Sequence, residues 1–180
     1  MTFVSSTTDT ENLTLTLVTE FTADPARVWQ VWEDPRQLER WWGPPTWPAT
    51  FATHDFTPGG RCHYFMTGPD GETAHGWWRF IAIDEPRRLE IEDGFANEDG
   101  SPTDPEDSAT FVVTLEDSGG GTRMTTVSAF RTLGQLERML AMGMEEGMKQ
   151  ASGQIDAILA EVREDTASRA DSAATEDSVR

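Results

Sequence analysis

The chain has a single cysteine, few basic residues and no long hydrophobic run. Cys62 alone excludes a disulfide framework and a cysteine-based zinc site, and one thiol fits a reducing compartment. No apolar segment approaches the roughly 20 residues that span a bilayer. Residues 1–12 have neither the basic start nor the apolar stretch of a secretory signal. We therefore expect a soluble, cytoplasmic protein that does not insert into membranes.

Acidic residues greatly outnumber basic residues. The chain has 32 Asp and Glu against 14 Lys and Arg, which gives a formal net charge of −18. Binding to phosphates needs clustered Lys and Arg. The composition therefore predicts no binding to nucleic acid or to anionic membrane surfaces.

The length of 180 residues suits one domain with short extensions. A domain of about 150 residues buries roughly 70% of its unfolded surface, so a hydrophobic core can form without disulfides or metals. We predict a flexible lead over residues 1–11 and a single domain over residues 12–163. Residues 164–180 lack apolar periodicity and predict a disordered acidic tail.

Local patterns predict seven strands and three helices. Residues 13–21 alternate apolar and polar side chains, which indicates a half-buried strand. Asp24-Pro25 and Asp34-Pro35 each combine an N-cap with a proline at the first helical position, which predicts two short helices. Between residues 49 and 131, turn sequences separate six strands that should pair with their sequence neighbours. Apolar steps of three and four over residues 133–162 predict one long helix.

This order of elements resembles the helix-grip fold of the START-like superfamily, also called Bet v allergen-like or SRPBCC. Within it, the motifs are similar to those of homologues of the activator of the heat-shock-protein-90 ATPase. The resemblance covers about residues 13–162. It implies an α+β fold in which a curved seven-stranded antiparallel sheet surrounds a long C-terminal helix. The motifs that carry it are PARVW at residues 25–29, WWGP at 41–44, DFTPGGR at 55–61, GPDG at 68–71, DEPRRL at 84–89 and GMEEGM at 143–148.

The resemblance implies more than one function, because helix-grip folds serve as carriers, cyclases, hydrolases and co-chaperones. Cys62, His63 and Met148 depart from the residues usual in this family, so a relative's ligand does not transfer. We favour binding of a small hydrophobic molecule in a cavity between the sheet and the C-terminal helix, with no cofactor. The alternatives are an enzyme of the cyclase or hydrolase type that acts on such a ligand, and a regulator of a chaperone ATPase.

Candidate ligand-binding residues come from the segments expected to surround this cavity. Tryptophans on the Pro-rich segment after the second helix suit the mouth, and methionines offer flexible, polarisable walls, although both also suit core packing. Gly143 and Gly147 predict either room for a ligand or close approach of the helix to the sheet. Residues 77–81 have large apolar side chains on both strand faces. This pattern also suits a dimer interface, and it does not decide which face of the strand points inward. The candidate set is Trp42, Trp47, Tyr64, Met66, Trp78, Arg79, Met124, Met144 and Met148.

No set of residues predicts a metal site or a catalytic centre. His54, His63 and His75 are the only histidines, and no carboxylate or cysteine completes a ligand set with them. No nucleophile, base and orienting group occur together in the pattern. We therefore predict no metal and assign no catalytic residue. His63 or His75 as a general base and weak calcium binding by the acidic loop over residues 97–108 remain alternatives.

Overall fold

The computed structural model describes residues 2–161, so the tail predicted over residues 164–180 lies outside the described residues. Its helical and strand elements follow one another with short connections. In chain order they are β1 (Thr2–Asp9), β2 (Thr14–Phe21), α1 (Pro25–Glu33), α2 (Pro35–Leu38), β3 (Ala49–His54), β4 (Arg61–Thr67), β5 (Thr73–Asp84), β6 (Arg88–Phe95), a 3-10 turn (Pro105–Asp107), β7 (Ala109–Ser118), β8 (Gly121–Ala129), α3 (Leu133–Ala141), α4 (Met144–Ser152) and α5 (residues 155–161).

The strands form one antiparallel sheet in the order β1-β2-β8-β7-β6-β5-β4-β3. From β3 to β8, each strand pairs with its neighbour in sequence, as the short turns predict. Strand β2 then pairs with β8 and extends the sheet. The helix-grip α+β fold expected from the sequence is confirmed, with helices packed on one face of the sheet.

The sheet has eight strands among the described residues, and the prediction of a flexible lead over residues 1–11 is wrong for residues 2–9. These residues form β1, which pairs with β2 from Asp9↔Thr14 to Thr2↔Glu20. The Asp9 carboxylate fixes the connecting turn by accepting hydrogen bonds from the backbone N–H groups of Glu11 and Asn12. An edge strand is held mainly by its backbone ladder, so β1 carries little of the apolar pattern by which strands are recognised.

Helices α1 and α2 begin where their capping signals place them. The side chain of Asp24 accepts a hydrogen bond from the backbone N–H of Arg27, and Asp34 accepts one from Arg36. These bonds satisfy N–H groups that have no partner within the first turn of a helix. Helix α1 packs against β7 and β8 and buries Val28, Trp29, Val31 and Trp32.

The single long helix predicted over residues 133–162 is wrong, because the described part of this segment is three helices. Gly143 has a φ of 87° and ends α3 in the left-handed conformation that suits a glycine after a helix. A second break at residues 153–154 separates α4 from α5. The amide of Gln154 donates to the backbone carbonyls of Trp41 and Gly43, which ties this break to the segment after α2. Each helix turns an apolar face to the sheet, so the apolar periodicity continues through both breaks.

The hydrophobic core has two parts on the inner face of the sheet. The larger part includes α1, α2 and α5 together with the centre of the sheet. The smaller part joins Leu15 and Leu17 of β2 to Leu136 of α3. Across residues 2–161, no helix combines the length and the apolar composition needed to cross a bilayer.

Candidate functional site

A cavity of about 460 Å³ lies between the inner face of the sheet and helices α3 and α4. Strands β4 to β8 form its floor, the helices form its roof, and Trp32, Trp41 and Trp42 form one end. This volume falls within the roughly 300–1,000 Å³ usual for small-molecule sites. The fold therefore contains a space of suitable size at the position that the sequence led us to expect.

Two glycines of the roof, Gly143 and Gly147, line this space. A Cβ atom at Gly147 would meet no heavy atom within 4 Å, and the same holds for Gly143. Close approach of the helix to the sheet is therefore not the reason for either glycine. A glycine inside a helix costs about 1 kcal/mol relative to alanine, so Gly147 reduces helix stability while it leaves the cavity wider.

Methionines form much of the cavity wall. Six of the seven methionines in the chain line it, and the four predicted from the sequence are among them. The candidate set from the sequence omitted Met139 and Met142, which lie one turn apart on the predicted helix. The Met142 side chain is 63% exposed, which places it at the mouth. The six residues are Met66, Met124, Met139, Met142, Met144 and Met148.

Trp42 is the centre of the aromatic end of the cavity. Its ring stacks on Phe111 at 5.9 Å between centroids and meets Trp78 edge to face at 4.7 Å. Trp42 and Trp47 both line the cavity, and their role in ligand binding stays a prediction. Trp78 is fully buried behind Trp42 and is not part of the lining. It supports the wall and does not face the open space.

Arg79 also requires a correction, because it lies on the outer face of the sheet. Trp78 and Phe80 point inward, so the residue between them points outward. The guanidinium of Arg79 pairs with Glu92 at 2.6 Å, and the Arg79 side chain is 46% exposed. Arg79 therefore does not face the cavity. The dimer interface suggested by the same strand stays a prediction.

Tyr64 places a phenol in the cavity wall beside two tryptophans. Burial raises the pKa of this phenol, and the charge of Asp93 raises it further. The indole N–H groups of Trp42 and Trp78 are near enough to oppose that rise, although neither completes a hydrogen bond. Tyr64 therefore stays neutral and keeps an O–H group available at the surface of the cavity.

Asp93 is the acidic residue that sequence reasoning missed. In β6, Leu89 and Ile91 point inward, so the alternation carries Asp93 inward as well. It lies between Trp78 of β5 and Ala109 of β7 in the floor of the cavity. Its one available signal in the sequence was this parity, which a neighbouring run of acidic residues obscured.

The Asp93 carboxyl group has no hydrogen bond or ion pair with any other residue in the range 2–161. Burial raises the pKa of this carboxyl to about 7, and the negative charge of Glu92 adds to the rise. An acid whose neutral and ionised forms are both populated near neutral pH can accept or donate a hydrogen bond. Asp93 is thus the chemically distinctive group of the cavity.

Gln135 and Arg138, two other polar residues at the cavity, already have partners. The amide of Gln135 donates to the backbone carbonyl of Asp107 at 2.8 Å and accepts from the backbone N–H of Arg131. The guanidinium of Arg138 contacts both carboxylate oxygens of Asp107, at 2.6 and 2.7 Å. The positive charge of Arg138 is therefore balanced at the edge of the cavity.

The histidines do not build a metal centre. His63 Nε2 and His75 Nδ1 lie 3.0 Å apart, and His54 stacks separately on Phe56. Burial lowers the pKa of His63, and repulsion from His75 lowers it further. Within the described part of the chain, no three His, Cys, Asp or Glu residues are grouped so that they could hold a metal ion, the acidic loop included. His75 borders the cavity, whereas His63 does not.

The family model described as activator of Hsp90 ATPase homolog 1-like protein matches residues 22–160, which include the sheet from β3 to β8 and all helices that surround the cavity. The chain belongs to this family. No curated protein matches the sequence.

Solved structures of other members share the fold over most of their length. A protein from Arthrobacter aurescens is 56% identical, with a TM-score of 0.84 over 89% of this chain and 93% of that one. Protein Ms6760 from Mycobacterium smegmatis is 46% identical, with a TM-score of 0.82 over 88% and 97% of the two chains. The AHSA1 protein from Silicibacter pomeroyi, at 21% identity and a TM-score of 0.65 over 82% and 97%, shows the same fold.

Proposed function

We propose that the protein binds a small, largely hydrophobic molecule in the cavity between the sheet and helices α3 and α4. The observation that carries this proposal is the cavity of about 460 Å³, walled by six methionines and by tryptophans. Methionine side chains adapt to ligands of different shape because they are unbranched and polarisable. Apolar walls with a few polar groups are typical of small-molecule sites.

The site has a helix position at which the proposal can be tested directly. A side chain at Gly147 would enter open space in the cavity, because an added Cβ meets nothing within 4 Å. A leucine at this position should fill part of the space and also favour the helix, since leucine exceeds glycine in helix propensity. Loss of binding can then be separated from loss of folding.

We therefore suggest titration of the neutral fluorophore N-phenyl-1-naphthylamine into wild type and Gly147→Leu. The wild type should raise the emission of the probe, and Gly147→Leu should weaken its binding by about tenfold or more. Gly134→Leu is the matched control, because Gly134 lies in α3, is exposed and also has no neighbour within 4 Å. Equal probe binding by all three proteins would contradict the proposal, and circular dichroism would verify that each variant is folded.

One observation favours an enzyme as the second candidate. A carboxyl group with a pKa of about 7 beside a phenol can act as a general acid or base near neutral pH. If Asp93 has this role, Asp93→Asn should bind a captured ligand but no longer convert it, as followed by mass spectrometry. The role of chaperone-ATPase regulator, suggested by the family description, stays a prediction that an Hsp90 ATPase assay would test.

A further inference from the structure

Of the two acidic residues that line the cavity among residues 2–161, Asp107 is paired with Arg138 and Asp93 has no cationic partner. Asp93 lines the cavity and is only partly buried, because its surface opens onto that space. The indole N–H groups of Trp32 and Trp42 are also without partners, but they have no accessible surface. A charged contact that orients a ligand should therefore form at the carboxyl group of Asp93.

The surroundings of Asp93 favour a ligand with positive charge. An ionised carboxylate only accepts hydrogen bonds, and a protonated amine only donates them, so the two are complementary. Trp42 and Phe111 line the same cavity, and aromatic rings attract cations through their quadrupoles. The net charge of −18 concentrates cations around the protein and repels anions.

Basic side chains of the protein do not fill this role. Among the residues that line the cavity, Arg138 is held by Asp107, and His75 is engaged by His63 and Thr73. An unpaired carboxylate in an apolar space destabilises the protein. A cationic ligand neutralises this charge, and the relief of that destabilisation adds to the free energy of binding.

We propose that the ligand is a lipophilic amine, with an apolar body against the methionine and tryptophan walls and a protonated nitrogen paired with Asp93. This inference rests on the proposed function, because it requires that the cavity binds a small molecule. It goes beyond that function by assigning the chemical class of the ligand and the residue that recognises it.

Three probes of one shape test the inference. These are 9-(aminomethyl)anthracene, 9-anthracenemethanol and 9-anthracenecarboxylic acid, which share a fluorescent ring and carry a cation, a neutral group and an anion. At pH 8 the wild type should bind the amine about tenfold or more tightly than the alcohol, as expected of a hydrogen bond to a charged group. The carboxylic acid should bind more weakly than the alcohol, because Asp93 repels it.

Variants at one position then assign the preference to Asp93. Asp93→Asn keeps the shape and removes the charge, so it should bind the alcohol as the wild type does and lose the preference for the amine. Asp117→Asn is the control, since it makes the same change at an exposed site on β7 away from the cavity. Retained alcohol binding also demonstrates that Asp93→Asn is folded.

The pH dependence gives a second readout. Below pH 7 the carboxyl of Asp93 becomes protonated, so amine affinity should fall by up to about tenfold per pH unit, while the probe itself stays protonated. Tyr64 and Glu92 also act on Asp93, and His75, Asp107 and Arg138 line the same cavity. The dependence must therefore disappear in Asp93→Asn to be assigned to this residue.

The outcomes separate the two proposals. If no probe binds the wild type, both the amine inference and the proposed function are overturned. If the probes bind with equal affinity, or if the amine preference persists in Asp93→Asn, the amine inference alone is wrong and the hydrophobic site remains. If the alcohol binds best and loses affinity in Asp93→Asn, Asp93 acts as a neutral hydrogen-bonding group and the inference is also overturned.

Discussion

The ring of Tyr64 in β4 lies directly over Gly76, its partner on the neighbouring strand β5. The two residues are opposite each other in the strand register, and a Cβ atom at Gly76 would overlap the phenol ring and its hydroxyl group. Gly76 is therefore the position that allows Tyr64 to lie flat in the cavity wall near Asp93.

Replacing Gly76 by alanine should displace the Tyr64 ring and destabilise the protein by about 1–3 kcal/mol, the usual cost of overpacking a core. Urea denaturation monitored by tryptophan fluorescence would measure this loss. In a Tyr64→Ser background the same glycine-to-alanine change should cost less, because the smaller side chain leaves room for the added methyl group. Additive effects of the two substitutions would show that the overlap is not the cause.

The raised pKa of Asp93 predicts how stability depends on pH. The folded protein holds this proton to a pKa of about 7, whereas the unfolded chain releases it near 3.8. Because the folded state binds more protons between these values, stability should fall as pH rises from about 4 to 7, by about 4 kcal/mol in all. Asp93→Asn removes this contribution, so the variant should be more stable than wild type at pH 8.

This gain should shrink to less than about 1 kcal/mol at pH 4, where Asp93 is neutral in the folded state and only partly ionised in the unfolded state. Urea midpoints at the two pH values would measure the gain. Asp117→Asn removes an exposed carboxyl and should show no comparable pH-dependent difference from wild type. A gain of the same size at both pH values would contradict the assignment of the effect to ionisation.

The two glycines of the cavity roof should respond in opposite directions to alanine. Gly143 has a φ of 87°, a conformation that costs an L-residue about 1–2 kcal/mol, so Gly143→Ala should lower the free energy of unfolding. Gly147 lies inside α4 with space around it, so Gly147→Ala should raise that free energy by up to about 1 kcal/mol. Thermal denaturation of both variants would check the signs, and two effects of the same sign would contradict the interpretation.

Arg79 should be dispensable for ligand binding. Its guanidinium pairs with Glu92 on the outer face, and such exposed pairs contribute about 0.2–1 kcal/mol to stability. Arg79→Ala should therefore change stability by less than about 1 kcal/mol and leave the affinity for N-phenyl-1-naphthylamine unchanged. Met124→Ala, at a buried cavity position, should change both. A large loss of probe binding in Arg79→Ala would contradict this and show that Arg79 contributes to the binding site.

Much of the fold follows from local signals. Asp24 and Asp34 cap the helices that they were expected to begin, because a capping hydrogen bond reaches only two or three residues along the chain. Turn sequences likewise separate the strands from β3 to β8 where they were expected to do so. The sequence missed β1, since an edge strand is defined by backbone pairing with β2 and not by its own apolar pattern.

The candidate site was less accessible to prediction. Strand alternation allowed either Trp78 or Arg79 to point inward, and the choice depends on the partners of β5 in the folded sheet. Apolar residues recur at a single helical spacing through the whole segment from α3 to α5, so the spacing does not reveal the breaks. The breaks depend on Gly143 and on the hydrogen bonds from Gln154 to the segment after α2.

By itself, the sequence determined the order of the elements, the capped helix starts, the turns and the methionine-rich character of the C-terminal segment, because these depend on neighbours along the chain. Only the tertiary structure decided that Asp93 faces the cavity, since a carboxylate in an acidic stretch is normally solvated. Its raised pKa arises from burial and from the charge of Glu92, in a sheet that sets Asp93 between Trp78 and Ala109 of the two neighbouring strands. Burial is a property of the assembled sheet, so it cannot be read from residues adjacent in sequence.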